Sequence, residues 1–441
     1  MMKKHIEKIK NILKTELKQG RYTETKYILQ DLVLDLTNLL LVIDSDYCEG
    51  LDSDKIIKSL KLLGKYQIET LSNLANYYFK QGDLESAIKV MENVAKVSSK
   101  DSSAFYNLAI LNGNIGRNDL KEKYFKKCLK IDPNNSRAKF GCGMLKISQH
   151  KFKEGWELYE NRFEAFSDIK KIEEKYKNKK RWNGEVSKNT SLVIYSEQGI
   201  GDMIFCMRYL PILDNLGIKY YIDTSEYNKQ LFKMSKYKIN FYANQKCKYF
   251  CSFMSLPYCL KNYEFNEDKY KLFFDAYIDP KNDKPKIGIT FAGNTSHLSD
   301  YKRSMDVRNL RTLLSDDHFD FYLLQRKENM IRKIGCKKTN IWDDSINFTD
   351  MSNRISNFED TYKLLRELDA IVTVDTSIAH MAGSIGMPVY LLLDKDCDYR
   401  WNMDNKNTGW YTSWKLFKQN KLYDWELPVR ICHQELLGEL T

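Results

Sequence analysis

No apolar run in this chain reaches the length of about 20 residues that crosses a bilayer. Its start, Met1-Met-Lys-Lys-His-Ile-Glu, has neither the apolar core nor the cleavage site of a secretory leader. The expectation is a soluble cytoplasmic protein without a transmembrane segment. Paired cysteine spacing is missing too. Of ten cysteines only Cys247, Cys251 and Cys259 cluster, and neither a second CxxC nor a spaced His pair accompanies them. That argues against a structural zinc or a disulfide framework, so buried free thiols are expected. The formal net charge of +11 comes without a nucleic-acid recognition motif. Lysines are spread over many helical segments, with one denser run at 170–181. The charge therefore favours anionic ligands such as nucleotides or acidic glycans, not nucleic acid.

What is present is enough for several cores. A chain of 441 residues, 43% hydrophobic and 13% aromatic, implies two or three domains. Residues 1–65 read as an N-terminal helical region, with apolar periodicity over 6–17, 25–41 and 55–63. Asp44-Ser-Asp46 resembles the acidic motif of metal-dependent glycosyltransferases, but it follows a helix instead of a nucleotide-binding strand and reads as a loop and cap. From Ile68 a pattern recurs at about 34 residues. Leu71, Leu74, Ala75, Tyr78, Gly82, Ala87 and Met91 return in kind as Phe105, Leu108, Ala109, Asn112, Gly116, Lys121 and Phe125, and Pro133 follows. Gly82 and Gly116 are placed to turn between paired antiparallel helices. Lys121 stands where a small residue is usual, which weakens one contact. This pattern resembles the tetratricopeptide repeat. A third copy over 136–165 has His150 at the turn position, and a degenerate earlier copy is centred on Gly20-Arg-Tyr22. Such stacks present a concave surface to peptides or a partner domain, or serve as a spacer.

Residues 167–181 form a charged linker or joining helix, after which helices give way to alternating strands and helices. Strand 191–196 enters Glu197-Gln-Gly-Ile-Gly-Asp202 and a helix over 203–213. Glycines there let backbone approach a ligand closely, Gly201 among them. Asp202 can cap the helix or stand at the ligand crevice as a general base. The turn has neither GxGxxG spacing nor a P-loop lysine. Strands over 219–223 and 239–243 flank a helix over 227–234, and 280–285 reads as a hinge between two α/β lobes. Strand 286–291 runs into Gly293-Asn294-Thr295, followed by Lys302, Arg303 and Ser304. Cations and hydroxyls at strand ends suit a diphosphate. Strand 319–324 ends at Gln325.

The stretch around which this half is organised is the strand 370–374 followed by Asp375-Thr-Ser-Ile-Ala-His380, a helix over 378–385 and a strand over 388–393. Small residues Ala382, Gly383, Ser384 and Gly386 let that helix pack closely. Thr376 and Ser377 at a helix N-terminus beyond a strand form a phosphate site, with His380 on the same face; the plainer alternative makes Thr376 a cap and His380 a surface residue.

Together, Glu197–Asp202, Met254-Ser-Leu-Pro257, Arg303-Ser304, Asp375–His380, Arg400-Trp401 and the repeat ending Gly155-Trp156…Tyr159-Glu160-Asn-Arg162 resemble bacterial tetratricopeptide-repeat proteins with a glycosyltransferase family 9, heptosyltransferase-like domain. The resemblance spans roughly residues 70–441. It implies a multidomain fold class: an all-α tetratricopeptide array (66–166), a charged linker (167–181), and a GT-B unit of two Rossmann-like lobes. The acceptor-side lobe would be 182–280, and the nucleotide-sugar lobe with a closing C-terminal segment 281–441. It implies metal-independent transfer of a sugar from a nucleotide diphosphate sugar to a glycan or protein hydroxyl, with no cofactor. By it Asp202 is the catalytic base. Gly201, Asn294, Lys302, Arg303, Ser304, Gln325, Asp375, Thr376, Ser377 and His380 line the donor site, Gln325 near the nucleoside and Asp375 near the sugar. The first lobe is short and heptosyltransferase acceptor features are not recognisable. The pairing of repeats with a GT-B unit is similar to protein O-glycosyltransferases. The alternative function is an inactive GT-B scaffold binding protein partners through its repeats.

Overall fold

The computed structural model describes residues 67–263, 274–297, 299–326, 330–334, 337–401 and 408–441. The helices expected within 1–65, the Asp44–Asp46 loop and the degenerate repeat at Gly20 lie outside these residues. The chain divides into two compact units, Met1–Ile131 and Asp132–Thr441.

The described part of the first unit is four helices: α1 Gln67–Gln81, α2 Leu84–Val97, α3 Ser102–Asn114 and α4 Asn118–Ile131. Asp83 and Asp101 cap α2 and α3 by accepting the backbone N–H groups of Ser86 and Ser103. Gly82 (φ 78°) and Gly116 (φ 75°) turn each pair through the left-handed region. Leu71, Ala75, Ala87, Leu108, Ala109 and Phe125 are buried. Lys121 costs less than the sequence suggested, because α3 supplies the missing space. A Cβ on Gly113 would stand 2.9 Å from the Lys121 Cδ.

The second unit opens with α5 Ser136–Ser148, α6 Phe152–Tyr159, α7 Arg162–Ala165 and α8 Ser167–Glu174. His150 (φ 59°) occupies the turn between α5 and α6, as expected for the third repeat. These helices meet backbone to backbone. A Cβ on Gly143 would lie 2.7 Å from the Tyr159 N, and one on Gly155 would lie 2.9 Å from the Ile147 N. The charged run after Ser167 forms α8 and then β1 Lys180–Arg181, where Arg181 pairs with Glu173.

The first sheet adds β2 Ser191–Tyr195, β3 Lys219–Asp223 and β4 Tyr249–Ser252 in the parallel order β1-β4-β2-β3. Its helices are α9 Ile200–Met207, α10 Leu210–Asn215, α11 Glu226–Lys233 and α12 Leu256–Leu260. The single helix expected over 203–213 is broken in two, because Pro211 has no N–H and its ring crowds the preceding turn. The strand expected over 239–243 is only a bridge from Phe241 to Ile222. β4, unforeseen, pairs with β2 instead.

The second sheet comprises β5 Lys286–Thr290, β6 Asp320–Leu323, β9 Thr349–Asp350, β10 Ala370–Val374, β11 Val389–Leu393 and β12 Trp414–Lys418. All pair in parallel, in the order β12-β11-β10-β5-β6-β9. A separate hairpin joins β7 Ile331–Ile334 to β8 Lys337–Asn340. Helices α13 Asp300–Arg303, α14 Arg311–Leu314, α15 Phe358–Leu365, α16 Ser377–Ser384 and α17 Glu426–Leu440 complete the unit. Every residue of β10 and β11 is buried, as both faces of a parallel sheet are covered. One core joins the first sheet, α9 and α16 to Trp156, Tyr159, Trp401, Trp410 and Trp414. Another packs Trp425, Val429 and Leu436 of the C-terminal segment against the second sheet.

Candidate active site

Open parallel sheets hold ligands where the strand order reverses, beyond the C-terminal ends of the strands. In the second sheet that point lies between β5 and β10, and in the first between β2 and β4. The segments leaving β2, β5 and β10 carry most of the residues singled out above, and they converge.

Beyond β5 the backbone is held by buried side chains. Gln325 Oε1 accepts the N–H groups of Phe291 (3.2 Å) and Ala292 (2.8 Å). Ser304 Oγ accepts from Gly293 (2.9 Å) and donates to Asp300 (2.7 Å). These polar atoms support the loop. Asn294 is exposed and accepts from Ser296 N–H at 3.0 Å. Lys302 is buried, with its ammonium 2.7 Å from Asp396 and 3.7 Å from Asp394. Burial opposes its charge, and the two carboxylates more than offset that. Its charge is thereby committed to the loop after β11. Arg303 differs. Its Nη1 donates to the Asp375 carbonyl (3.0 Å), while its buried Nε makes no hydrogen bond among the described residues and lies 3.7 Å from the Asp300 carboxylate. Gly293 leaves room for it: a Cβ there would sit 2.5 Å from Arg303 Nη2, so the guanidinium would have to move.

Beyond β10, Thr376 has extended dihedrals and its side chain makes no cap to α16. The first turn of α16 thus presents N–H groups and the positive end of its dipole at the switch point, with Ser377 partly exposed. Asp375 accepts from the Trp401 indole at 2.9 Å. Burial and then Asp398 push its carboxyl upward, against Trp401, Arg303 and Arg400.

His380 is not a surface residue. It is 3% exposed and bonds Tyr411 Oη through Nδ1 at 3.0 Å, among Trp401, Trp414 and Phe205. Burial, Arg400 and Arg208 hold its pKa well below the usual value, so the ring is neutral. A Cβ on Gly201 would meet this ring at 2.8 Å. The glycine lets α9 approach α16.

Asp202 stands in the first turn of α9. Its carboxylate accepts the Gly199 N–H at 3.0 Å and is ion-paired with Arg400. Burial raises its pKa, with Asp398 adding to the effect and Arg400 opposing it. Sequence reasoning did not reach Arg400 as a site residue, nor Asp398 and His297. Arg400 Nη1 lies 2.7 Å from Asp398. His297 sits near Asp202 and Asp398, its pKa lowered by burial and by Arg303. The tyrosine and arginine that follow Asp398 were visible in the sequence, but no spacing relates residue 400 to residue 202.

The repeat ending is part of this neighbourhood. Arg162 is wholly buried and contacts Glu160 (2.5 Å), Glu197 (2.7 Å) and Ser255 Oγ (2.7 Å). Tyr159 Oη receives a bond from Gln198 at 2.8 Å, and its ring lies 5.7 Å from that of Tyr399. Among the described residues no cluster of three or more His, Cys, Asp or Glu could hold a metal ion, and no helix is long and apolar enough to cross a membrane.

The tetratricopeptide repeat family model matches residues 68–101 and 102–135. No curated protein matches the sequence. Solved structures similar to the chain include a glycosyl transferase family 9 protein from Veillonella parvula, at 8% identity and TM-score 0.36, covering 54% of this chain and 88% of that one. The E. coli ADP-heptose LPS heptosyltransferase II is similar at 10% identity and TM-score 0.40, with 57% and 98% covered. The Thermobaculum terrenum O-GlcNAc transferase is similar at 11% identity and TM-score 0.27, with 83% and 89% covered.

Proposed function

We propose that the second unit transfers a sugar from a nucleotide diphosphate sugar to a hydroxyl acceptor. One observation carries the reading: the Asp202 carboxylate and the uncapped N-terminus of α16 belong to the switch points of two parallel sheets and are brought together, Gly201 packing on His380 of α16 and Arg400 pairing with Asp202 and Asp398. The acceptor oxygen attacks the anomeric carbon and gives its proton to Asp202. The bond from that carbon to the diphosphate oxygen breaks, and the charge released on the diphosphate is met by the α16 N–H groups, Ser377 and Arg303. Lys302, Ser304 and Gln325 hold the walls in place. The repeats present the acceptor, a glycan or a protein.

The test is a thermal-shift and ligand-observed NMR screen of UDP-, GDP-, ADP-, CMP- and dTDP-sugars without added metal. Stabilisation by one nucleotide class, weakened in Arg303→Gln, is expected. Silence across the panel sinks the transferase reading and favours a repeat-based protein scaffold.

A further inference from the structure

The loop after β11 sends Arg400 across to α9, where one guanidinium holds two carboxylates. Nη2 pairs with Asp202, and Nη1 stands 2.7 Å from Asp398. The residue is 6% exposed, and its Nε is buried without a hydrogen-bond partner among the described residues. Aromatic rings fix its plane: Phe205 at 5.2 Å and Tyr399 at 4.7 Å from the guanidinium carbon. Tyr399 is itself braced by Tyr159 and Trp156 of α6, at ring separations of 5.7 and 6.3 Å. An arginine ordered this thoroughly loses little entropy in holding a carboxylate, and its planar fork fixes direction as well as charge.

We propose that Arg400 is a positioning residue for the base. It holds the Asp202 carboxylate ionised and oriented across the cleft, and Asp398 limits that hold by sharing the same guanidinium. This rests on the transferase reading, in which Asp202 takes the acceptor proton. The groups facing Asp202 are the Gly199 N–H from its own helix, Arg400, Asp398 and Tyr399 from the loop after β11, and His297 from the loop after β5. Tyr159 faces it from α6 and Cys206 from α9. Arg400 is the foremost group opposing burial and the Asp398 charge. Without it, Asp202 keeps its proton to higher pH and arrives at the reaction already protonated.

The experiment uses the full chain with 13C-labelled aspartate, Asp202→Asn identifying the Asp202 carboxyl signal. Its titration is followed in wild type, Arg400→Gln, Arg400→Lys and Asp398→Asn, alongside the pH profile of kcat/KM. In Arg400→Gln the Asp202 midpoint and the acid limb should both move up by at least about one pH unit, and kcat should fall about 100-fold. The donor Kd should stay within about threefold, a split that general loosening would not give. Asp398→Asn should move the midpoint down, because the guanidinium then serves Asp202 alone. Arg400→Lys should recover much of the midpoint while kcat stays low, since a point charge does not orient a carboxylate as a fork does.

Unmoved midpoints in both Arg400→Gln and Asp398→Asn overturn the proposal. If Arg400→Gln does not fold, Arg400→Lys and Asp398→Asn decide it. Turnover with unmoved midpoints sinks this inference alone. Moved midpoints in the variants of a wild type that turns over no donor sink the transferase reading, and the positioning role of Arg400 in it.

Discussion

Two adjacent cations, Lys302 and Arg303, were indistinguishable as sequence and are paired differently in the structure. Lys302 is paired closely with Asp396 and more loosely with Asp394, whereas Arg303 donates to the carbonyl of Asp375 and has only a longer ion pair, 3.7 Å from its Nε to Asp300. Lys302→Met therefore leaves two carboxylates facing each other and should cost about 3–5 kcal/mol in chemical denaturation. Arg303→Gln should leave stability close to wild type and weaken nucleotide binding about tenfold, as expected for one lost charge-assisted contact in a titration. Asp202→Asn should lower transfer about 100- to 10,000-fold while donor binding persists. As the proposed base, Asp202 works in its ionised form, and burial raises its pKa above the ordinary carboxylate value. Transfer should therefore rise with pH through that raised value and be lost below it, which a pH–rate profile would show. The motifs disclosed where such residues stand in the chain. They did not disclose partners, because Asp202–Arg400 and Lys302–Asp396 join residues that only the folded sheets bring together.

At the level of single elements, glycine tests how tightly helices approach. Gly113→Ala in α3 meets only the movable end of Lys121. The substitution should raise stability by up to about 1 kcal/mol, the helix-propensity difference. Gly155→Ala gains the same propensity but drives a methyl against the backbone of α5, 2.9 Å from the Ile147 N. Overpacking of about 1–3 kcal/mol outweighs the gain, so its melting temperature should fall. Opposite signs in a thermal melt are the check. The strand Ala370–Val374 and the strand Lys219–Asp223 were legible to the residue, since short β-branched or aromatic runs between polar turns leave little choice. β4 was not: Tyr-Phe-Cys-Ser, with Cys247 and Cys259 nearby, looks like part of a thiol cluster until β2 is seen beside it. The break before α10 was foreseeable from Pro211, whereas the apolar periodicity runs straight through it.

For the whole molecule, the informative boundary is Ile131–Asp132. The third repeat pair packs with the sheets: Trp156 and Tyr159 belong to the core that joins them, and Arg162 is buried between Glu160, Glu197 and Ser255. A chain of residues 132–441 should unfold cooperatively in calorimetry. A chain of residues 167–441 loses those side chains, leaves Glu197 buried without its cation, and should be insoluble or molten by near-UV circular dichroism. Repeats are recognisable in sequence because each copy repeats its own small interface. Which copy has been recruited to a different partner leaves no periodic mark.

Tyr159 touches Gln198 on one wall of the cleft and Tyr399, the neighbour of Arg400, on the other. A chimera that exchanges repeats should therefore be joined ahead of α5 and keep the hairpin α5–α6 with the sheets. A graft that replaced that hairpin would also replace a wall of the candidate site.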